Sequence, residues 1–149
     1  MNKMKRYRDW LKQADEDLKA AQDSKKTNHF EWACFQAQQS AEKSLKSVLL
    51  FLNTDSWGHG LVHLLEEIST KIEIVETTKT SIKPENYKLL KEHCQELDRH
   101  YIQPRYPNGF ADGYPSEYYN EKIAKRCISY SNTIHKWVKE KIKQLSSSE

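Results

Sequence analysis

The sequence predicts an all-α protein, an up-and-down antiparallel bundle of about five helices. Apolar residues recur at spacings of three and four along most of the chain, as on one face of a helix. Only four glycines and four prolines occur in 149 residues, too few for a turn-rich β fold. Connections between the helical stretches are mostly short, which favours a bundle. We expect one domain over residues 1–149, with frayed ends at about 1–5 and 146–149.

The first two helices carry the clearest patterns. The first has its apolar face from Tyr7 to Ala21, and the pattern breaks at residues 25–28. Asn28, with Glu31 three residues later, predicts the N-cap of the second helix. The second helix is the most apolar and ends at residues 53–56. Small residues in its middle permit another helix to approach closely: Ala33, Ala37 and Ala41.

Prolines and apolar spacing set the later elements. A short third helix is predicted from about Gly60 to Ile72, followed by a loop over residues 73–83. Pro84 suits the first turn of a fourth helix. Residues 102–119 hold three prolines and four tyrosines, and so predict an aromatic loop. The final helix is expected to start near Glu117 or Glu121.

Composition excludes several classes of protein. The net charge of +3 is too small to indicate a nucleic-acid surface by itself, and we expect no DNA partner, although RNA stays possible. No apolar run approaches the roughly 20 residues that span a bilayer, so no membrane partner is expected. The basic N-terminus lacks the apolar segment of a signal peptide, which predicts a cytoplasmic protein.

Two patterns bear on metal binding, and neither predicts a metal site. Cys34, Cys94 and Cys127 are far apart and lie on apolar stripes, as reduced core thiols do. His59, His63 and Glu67 recur every four residues, but no fourth ligand is marked.

The densest polar cluster runs from Asp98 to Tyr101 and continues at Arg105 and Tyr106. Arginine offers a rigid fork of donors for phosphate, and tyrosine can stack on a base. Residues 99–119 also form the one segment that interleaves arginine with aromatic residues expected at the surface. The alternative is structural: Arg105 would pair with Asp98, and Tyr106 would pack in a helix stop.

Three segments resemble the HEPN family (higher eukaryotes and prokaryotes nucleotide-binding domain), in its R-Y-P-containing branch. They are W-A-C-F-Q-A-Q-Q-S-A-E-K-S-L-K at residues 32–46, the G-H-G-L run at residues 58–61, and Arg105-Tyr106-Pro107. The resemblance extends from about Tyr7 to Ile142.

The resemblance implies a helical-bundle homodimer that partners a minimal nucleotidyltransferase in a two-component or toxin–antitoxin system. It also implies a nucleotide site that could hold ATP or GTP, with no other cofactor. Arg105 and Arg99 would meet phosphate, Tyr106 and Tyr101 would contact base or ribose, and His59 would line the site. In some members the transferase attaches adenylate to a tyrosine, for which Tyr106 or Tyr101 is the candidate here.

Two alternatives stay open at this point. Ribonuclease members carry an arginine followed, after four to six residues, by a histidine. Here Arg99 is followed directly by His100, and residues 101–134 contain no histidine. A ribonuclease would therefore need a non-standard pair, Arg99 with His100 or His93. The other alternative is a non-catalytic dimeric interaction module, with the second helix and its aromatic residues as the seam.

Overall fold

The computed structural model describes residues 3–75 and 82–147. Within those residues the chain forms six α-helices and no β-strand, with 3₁₀ turns at Lys3–Arg6 and Pro107–Gly109. None of these helices is both long enough and apolar enough to cross a bilayer. The predicted all-α bundle is confirmed, with five long helices and one single-turn helix. The helices are α1 (Tyr7–Lys26), α2 (Phe30–Phe51), α3 (Leu61–Val75), α4 (Pro84–Asp98), α5 (Pro115–Tyr118) and α6 (Glu121–Ser147).

Helix α2 is the centre of the bundle and packs mainly against α1 and α6, with α3 and α4 beside it. Its three predicted small residues are fully buried. The Ser131 hydroxyl of α6 donates to the Ala37 carbonyl at 2.6 Å, and the Ser40 hydroxyl donates to the Ala14 carbonyl of α1 at 2.6 Å. Such short side chains reach a neighbouring backbone only where two helices lie close together, as the alanines predicted.

The predicted N-cap at Asn28 is wrong. Asn28 has a φ of 65°, in the left-handed region, and His29 is the N-cap of α2, although its side chain makes no capping hydrogen bond. The Asn28 N–H donates to the Lys25 carbonyl at 3.1 Å, and the His29 N–H donates to the Ser24 carbonyl at 2.8 Å. These two bonds form a Schellman motif, so Asn28 ends α1 instead of beginning α2. Asparagine suits both roles, and local sequence did not separate them.

The end of α2 repeats this arrangement at Asn53, whose φ is 57°. Its N–H donates to the Leu50 carbonyl at 2.9 Å, and the Thr54 N–H donates to the Leu49 carbonyl at 2.8 Å. The predicted end of the second helix is therefore confirmed, with a second left-handed asparagine as its physical cause.

The later boundaries agree closely with the predictions. Helix α4 begins at Pro84, and α6 begins at Glu121. Helix α3 continues to Val75, and the rest of the predicted loop includes residues 76–81, which lie outside the described residues. Helix α6 continues through Ser147, residues 148 and 149 lie outside the described residues, and fraying of this end stays a prediction.

The aromatic residues expected in the core or on a dimer surface divide into two groups. Trp10, Phe30 and Phe35 are half-buried, whereas Trp32 is 43% exposed and Trp57 is 90% exposed. The two exposed tryptophans lie outside the core of the chain, so a dimer surface stays a prediction for them.

Candidate functional site

The Arg105 guanidinium lies among three aromatic rings. Its central carbon is 4.4 Å from the ring centre of Phe35, 4.7 Å from that of Tyr101 and 5.3 Å from that of Tyr106. Its Nε–H donates to the Tyr101 carbonyl at 2.8 Å, which fixes the plane of the fork. Phe35 comes from α2, whereas Tyr101, Arg105 and Tyr106 come from the turn after α4. We call Phe35, His59, Tyr101, Arg105 and Tyr106 the Arg105 cluster.

His59 joins this cluster from the segment that precedes α3. Its ring stacks on Tyr101, with centres 4.7 Å apart and planes 19° apart. Glu42 of α2 holds its Nδ1 at 3.0 Å, and the Gln38 side-chain amide donates to its carbonyl at 3.1 Å. The buried polar residues of α2 therefore fix the position of His59 through both its ring and its backbone.

The Arg105 cluster is open to solvent. Tyr106 is 50% exposed, His59 is exposed, and Arg105 and Tyr101 are half-buried. Within the described part of the chain, no carboxylate lies within ion-pairing distance of Arg105. Part of this guanidinium's donor set is therefore available to an anion, and the rings around it can take a planar group.

The alternative in which Arg105 pairs with Asp98 is wrong. Asp98 accepts hydrogen bonds from the backbone N–H groups of Leu61 at 2.8 Å and Val62 at 3.2 Å, at the start of α3. Burial raises the pKa of the Asp98 carboxyl, and these two bonds offset part of that effect. The carboxylate thus caps a helix and leaves Arg105 to the aromatic rings.

Arg99 and His100, one of the two pairs proposed for catalysis, both lie beside Oε2 of Glu96, but only Arg99 is exposed. The Arg99 side chain is 73% exposed, with its nearest carboxylate oxygen, on Glu96, 4.0 Å away. His100 is buried, with Nδ1 2.8 Å from the Tyr119 hydroxyl and Nε2 3.1 Å from Glu96. His93 stacks on Tyr130 instead, with ring centres 4.0 Å apart.

The predicted His59, His63 and Glu67 pattern does not lie on one helix face. Helix α3 begins at Leu61, so His59 precedes it and turns toward Tyr101. The His63 side chain is 89% exposed, with its Nδ1 3.7 Å from Glu66.

A second group of functional side chains was not predicted from the sequence. Cys34 of α2, Cys127 of α6 and His100 are buried, and one potential ligand atom of each lies within 4.8 Å of the others. The predicted burial of the cysteines is confirmed. Their convergence with His100 had no sequence signal, because the three residues come from distant parts of the chain.

These three groups shift one another's pKa values. A hydrogen bond with Cys34, helped by His100, outweighs burial and lowers the pKa of Cys127 to about 6. The same hydrogen bond, together with burial, raises the pKa of Cys34. Burial lowers the pKa of His100, but the interactions with Cys127 and Glu96 outweigh it and leave the pKa raised.

Comparison with known proteins gives a consistent result over nearly the whole chain. The model of the HEPN domain family matches residues 7–141. A candidate toxin of Methanocaldococcus jannaschii is 26% identical over 137 residues, which cover 91% of this chain and 87% of that protein.

Solved structures of similar proteins share the fold. The protein TT1696 of Thermus thermophilus is 33% identical, with a TM-score of 0.77 over 95% of this chain and 99% of its own. An archaeal HEPN homologue, ST0689, is 34% identical, with a TM-score of 0.70 over 91% and 97% of the two chains. A HEPN domain protein of Thermotoga maritima is 26% identical, with a TM-score of 0.64 over 88% and 94%.

Proposed function

This chain belongs to the HEPN domain family, and from that premise we propose that it binds a nucleotide, ATP or GTP, at the Arg105 cluster. The observation that carries the proposal is the position of Arg105, which lies between aromatic rings with no carboxylate beside it among the described residues. A nucleotide supplies the two chemical groups that this surface accepts, an anionic phosphate and a planar base.

In this proposal Arg105 binds phosphate, and the exposed guanidinium of Arg99, which is not part of the Arg105 cluster, adds a second contact. Tyr101 and Tyr106 contact the base or ribose, and His59 lines the site from the α3 side. Of the two tyrosines, Tyr106 has the more exposed ring. Tyr106 is therefore our choice of acceptor if a partner transfers a nucleotidyl group to this protein.

We further propose that the working unit is a homodimer that partners a minimal nucleotidyltransferase. Family membership and the candidate toxin among the relatives support a role in a toxin–antitoxin pair. Co-purification of the two proteins after co-expression tests the pairing, and light scattering of this chain alone tests the dimer.

Cleavage of RNA by Arg99 with His100 or His93 has weaker support. A general acid or base needs a ring nitrogen within reach of the substrate. His100 is buried and both of its nitrogens have partners, the Tyr119 hydroxyl and the Glu96 carboxylate, and His93 is stacked on Tyr130. Nucleotide binding does not require a histidine nitrogen that is free to transfer a proton. It is therefore the function that we favour.

Calorimetric titration with ATP and with GTP tests the proposed site. We expect wild-type protein to bind at least one nucleotide and Arg105→Ala to bind about 10- to 100-fold more weakly, the usual value of a charge-assisted contact. Arg8→Ala is the control, since Arg8 is an exposed arginine on α1 that contacts the ring of Tyr7. Equal affinity in wild type and Arg105→Ala, or no binding to wild type, would refute the proposal.

A further inference from the structure

The buried group of Cys34, His100 and Cys127 has the composition of a metal site. Two thiol sulfurs and one imidazole nitrogen converge to within 4.8 Å of one another. They come from α2, from the turn after α4 and from α6, and all three residues are buried. We propose that these three residues bind a zinc ion.

The ligand chemistry and the spacing both suit zinc. Thiolate and imidazole are the usual ligands of structural Zn²⁺, at about 2.3 Å for sulfur and 2.0–2.1 Å for nitrogen. A tetrahedral ion then holds two sulfurs and one nitrogen roughly 3.6–3.8 Å apart, so ligand atoms that lie within 4.8 Å of one another approach by about 1.2 Å or less. Two thiolates neutralise the charge of the ion, which removes the cost of burying it unpaired.

Neighbouring residues already provide the outer contacts of such a site. A metal-bound histidine usually donates its second N–H to a carboxylate. Glu96 lies 3.1 Å from Nε2 of His100, which leaves Nδ1 to face the ion. The Tyr119 hydroxyl, now 2.8 Å from Nδ1, would have to give up this hydrogen bond when Nδ1 binds the ion. Arg126, with its Nε 3.8 Å from Glu96, compensates the charge of this carboxylate.

The ion would also stabilise the Arg105 cluster, because two of the rings in this cluster directly follow proposed ligands in the chain. Cys34 directly precedes Phe35, and His100 directly precedes Tyr101. A bond network through one ion would fix the distance between α2 and the end of α4, and with it the spacing of these two rings. The metal site does not depend on the proposed nucleotide binding, so either can fail without the other.

Cobalt substitution tests the site in the full chain. Because the three residues are buried, the protein is unfolded in urea and refolded with Co²⁺. We expect one equivalent of cobalt to produce a thiolate-to-metal charge-transfer band and the intense visible bands of tetrahedral cobalt, and one equivalent of Zn²⁺ to remove both. Wild-type protein without a thiolate band would overturn the proposal.

The third cysteine offers a matched control. Cys94 is also fully buried but lies outside this group. Cys94→Ser should keep the cobalt spectrum, while Cys34→Ser and Cys127→Ser should lose the tetrahedral signal. Loss of the signal in Cys94→Ser to the same extent as in Cys127→Ser would count against the site.

If a cysteine variant does not fold, native mass spectrometry of the wild-type chain tests whether the protein binds zinc. After refolding with Zn²⁺, we expect a mass increase of one zinc less the protons that it displaces. A chain that stays at its metal-free mass would overturn the proposal without any variant.

Discussion

Asp98 Oδ1 lies 2.8 Å from the backbone nitrogen of Leu61, so the last residue of α4 caps the first turn of α3. This hydrogen bond holds the end of α4 at the start of α3, and so brings the segment that precedes α3 close to the segment that follows α4. His59 lies two residues before Leu61, and Tyr101 lies three residues after Asp98. The capped helix therefore accounts for the stack of His59 on Tyr101, which forms one side of the Arg105 cluster.

Removal of this cap should destabilise the protein. We expect Asp98→Ala to lower the free energy of unfolding by about 1–2 kcal/mol, because two N–H groups of α3 lose their acceptor. Asp98→Asn keeps one acceptor oxygen and should cost less. Urea denaturation followed by circular dichroism measures both changes. Asp23→Ala is the control, since the exposed Asp23 carboxylate has no side-chain bond within the described residues, and an equal loss there would contradict the capping role.

The ring of Tyr101 should carry a measurable part of nucleotide affinity. Its centre lies 4.7 Å from that of His59 and 4.7 Å from the Arg105 guanidinium carbon. Tyr101→Ala removes the ring that positions Arg105 and His59, and we expect a loss in affinity of about 2- to 30-fold, the value of a cation–π contact. Tyr101→Phe should keep most of the affinity.

Tyr114 provides the comparison for that experiment, because it is an exposed tyrosine outside the cluster. Calorimetric titration of Tyr114→Ala should give the wild-type affinity. A Tyr101→Ala variant that melts normally and binds normally would show that the ring has no part in binding.

The two left-handed asparagines should respond differently to glycine and to alanine. At Asn53, with a φ of 57°, we expect alanine to cost up to about 1–2 kcal/mol, because alanine keeps the Cβ but lacks the short polar side chain that lets asparagine adopt the left-handed conformation. Glycine should be tolerated within a few tenths of a kcal/mol. Thermal and urea unfolding of both variants check this, and Asn28, with a φ of 65°, repeats the test. Similar costs for glycine and alanine would argue against a conformational origin.

Buried His135 should make the protein less stable at acid pH. The Ser44 hydroxyl lies 2.8 Å from its Nδ1, and Asp15 lies 3.6 Å from its Nε2. Burial, and then the charge of Lys139, lower the pKa of His135 from 6.5, and Asp15 offsets part of this. The folded state therefore keeps the imidazole neutral at a pH where the unfolded chain binds a proton.

The sign of this pH dependence follows from proton linkage. Stability is retained above pH 6.5 and is lost as pH falls from 6.5 toward the lower pKa of the folded state. The slope contributed by one proton cannot exceed about 1.4 kcal/mol per pH unit. Urea unfolding between pH 5 and 8 should give a shallower pH slope for His135→Asn than for wild type. An unchanged slope would assign the effect to other groups, such as His93, whose pKa burial also lowers.

The candidate site could be predicted only in part. Arg105, Tyr106, Tyr101 and His59 were singled out by residue type and by resemblance, and the structure brings all four together. Phe35, the nearest ring to Arg105, was expected in the core or on a dimer surface. No local pattern shows that a ring of α2 lies beneath an arginine far along the chain.

The sequence by itself determined the helices, because helix formation and termination depend on residues within about four positions. The apolar period, Pro84 and the break at Asn53 sufficed for most of the boundaries, although the cap between α1 and α2 was assigned to the wrong helix. Only the tertiary structure decided which partner each polar group takes: Asp98 with α3 instead of Arg105, and His100 with two distant cysteines. Those choices depend on which helix faces pack together, since packing brings side chains from distant parts of the chain within hydrogen-bond or ligand distance.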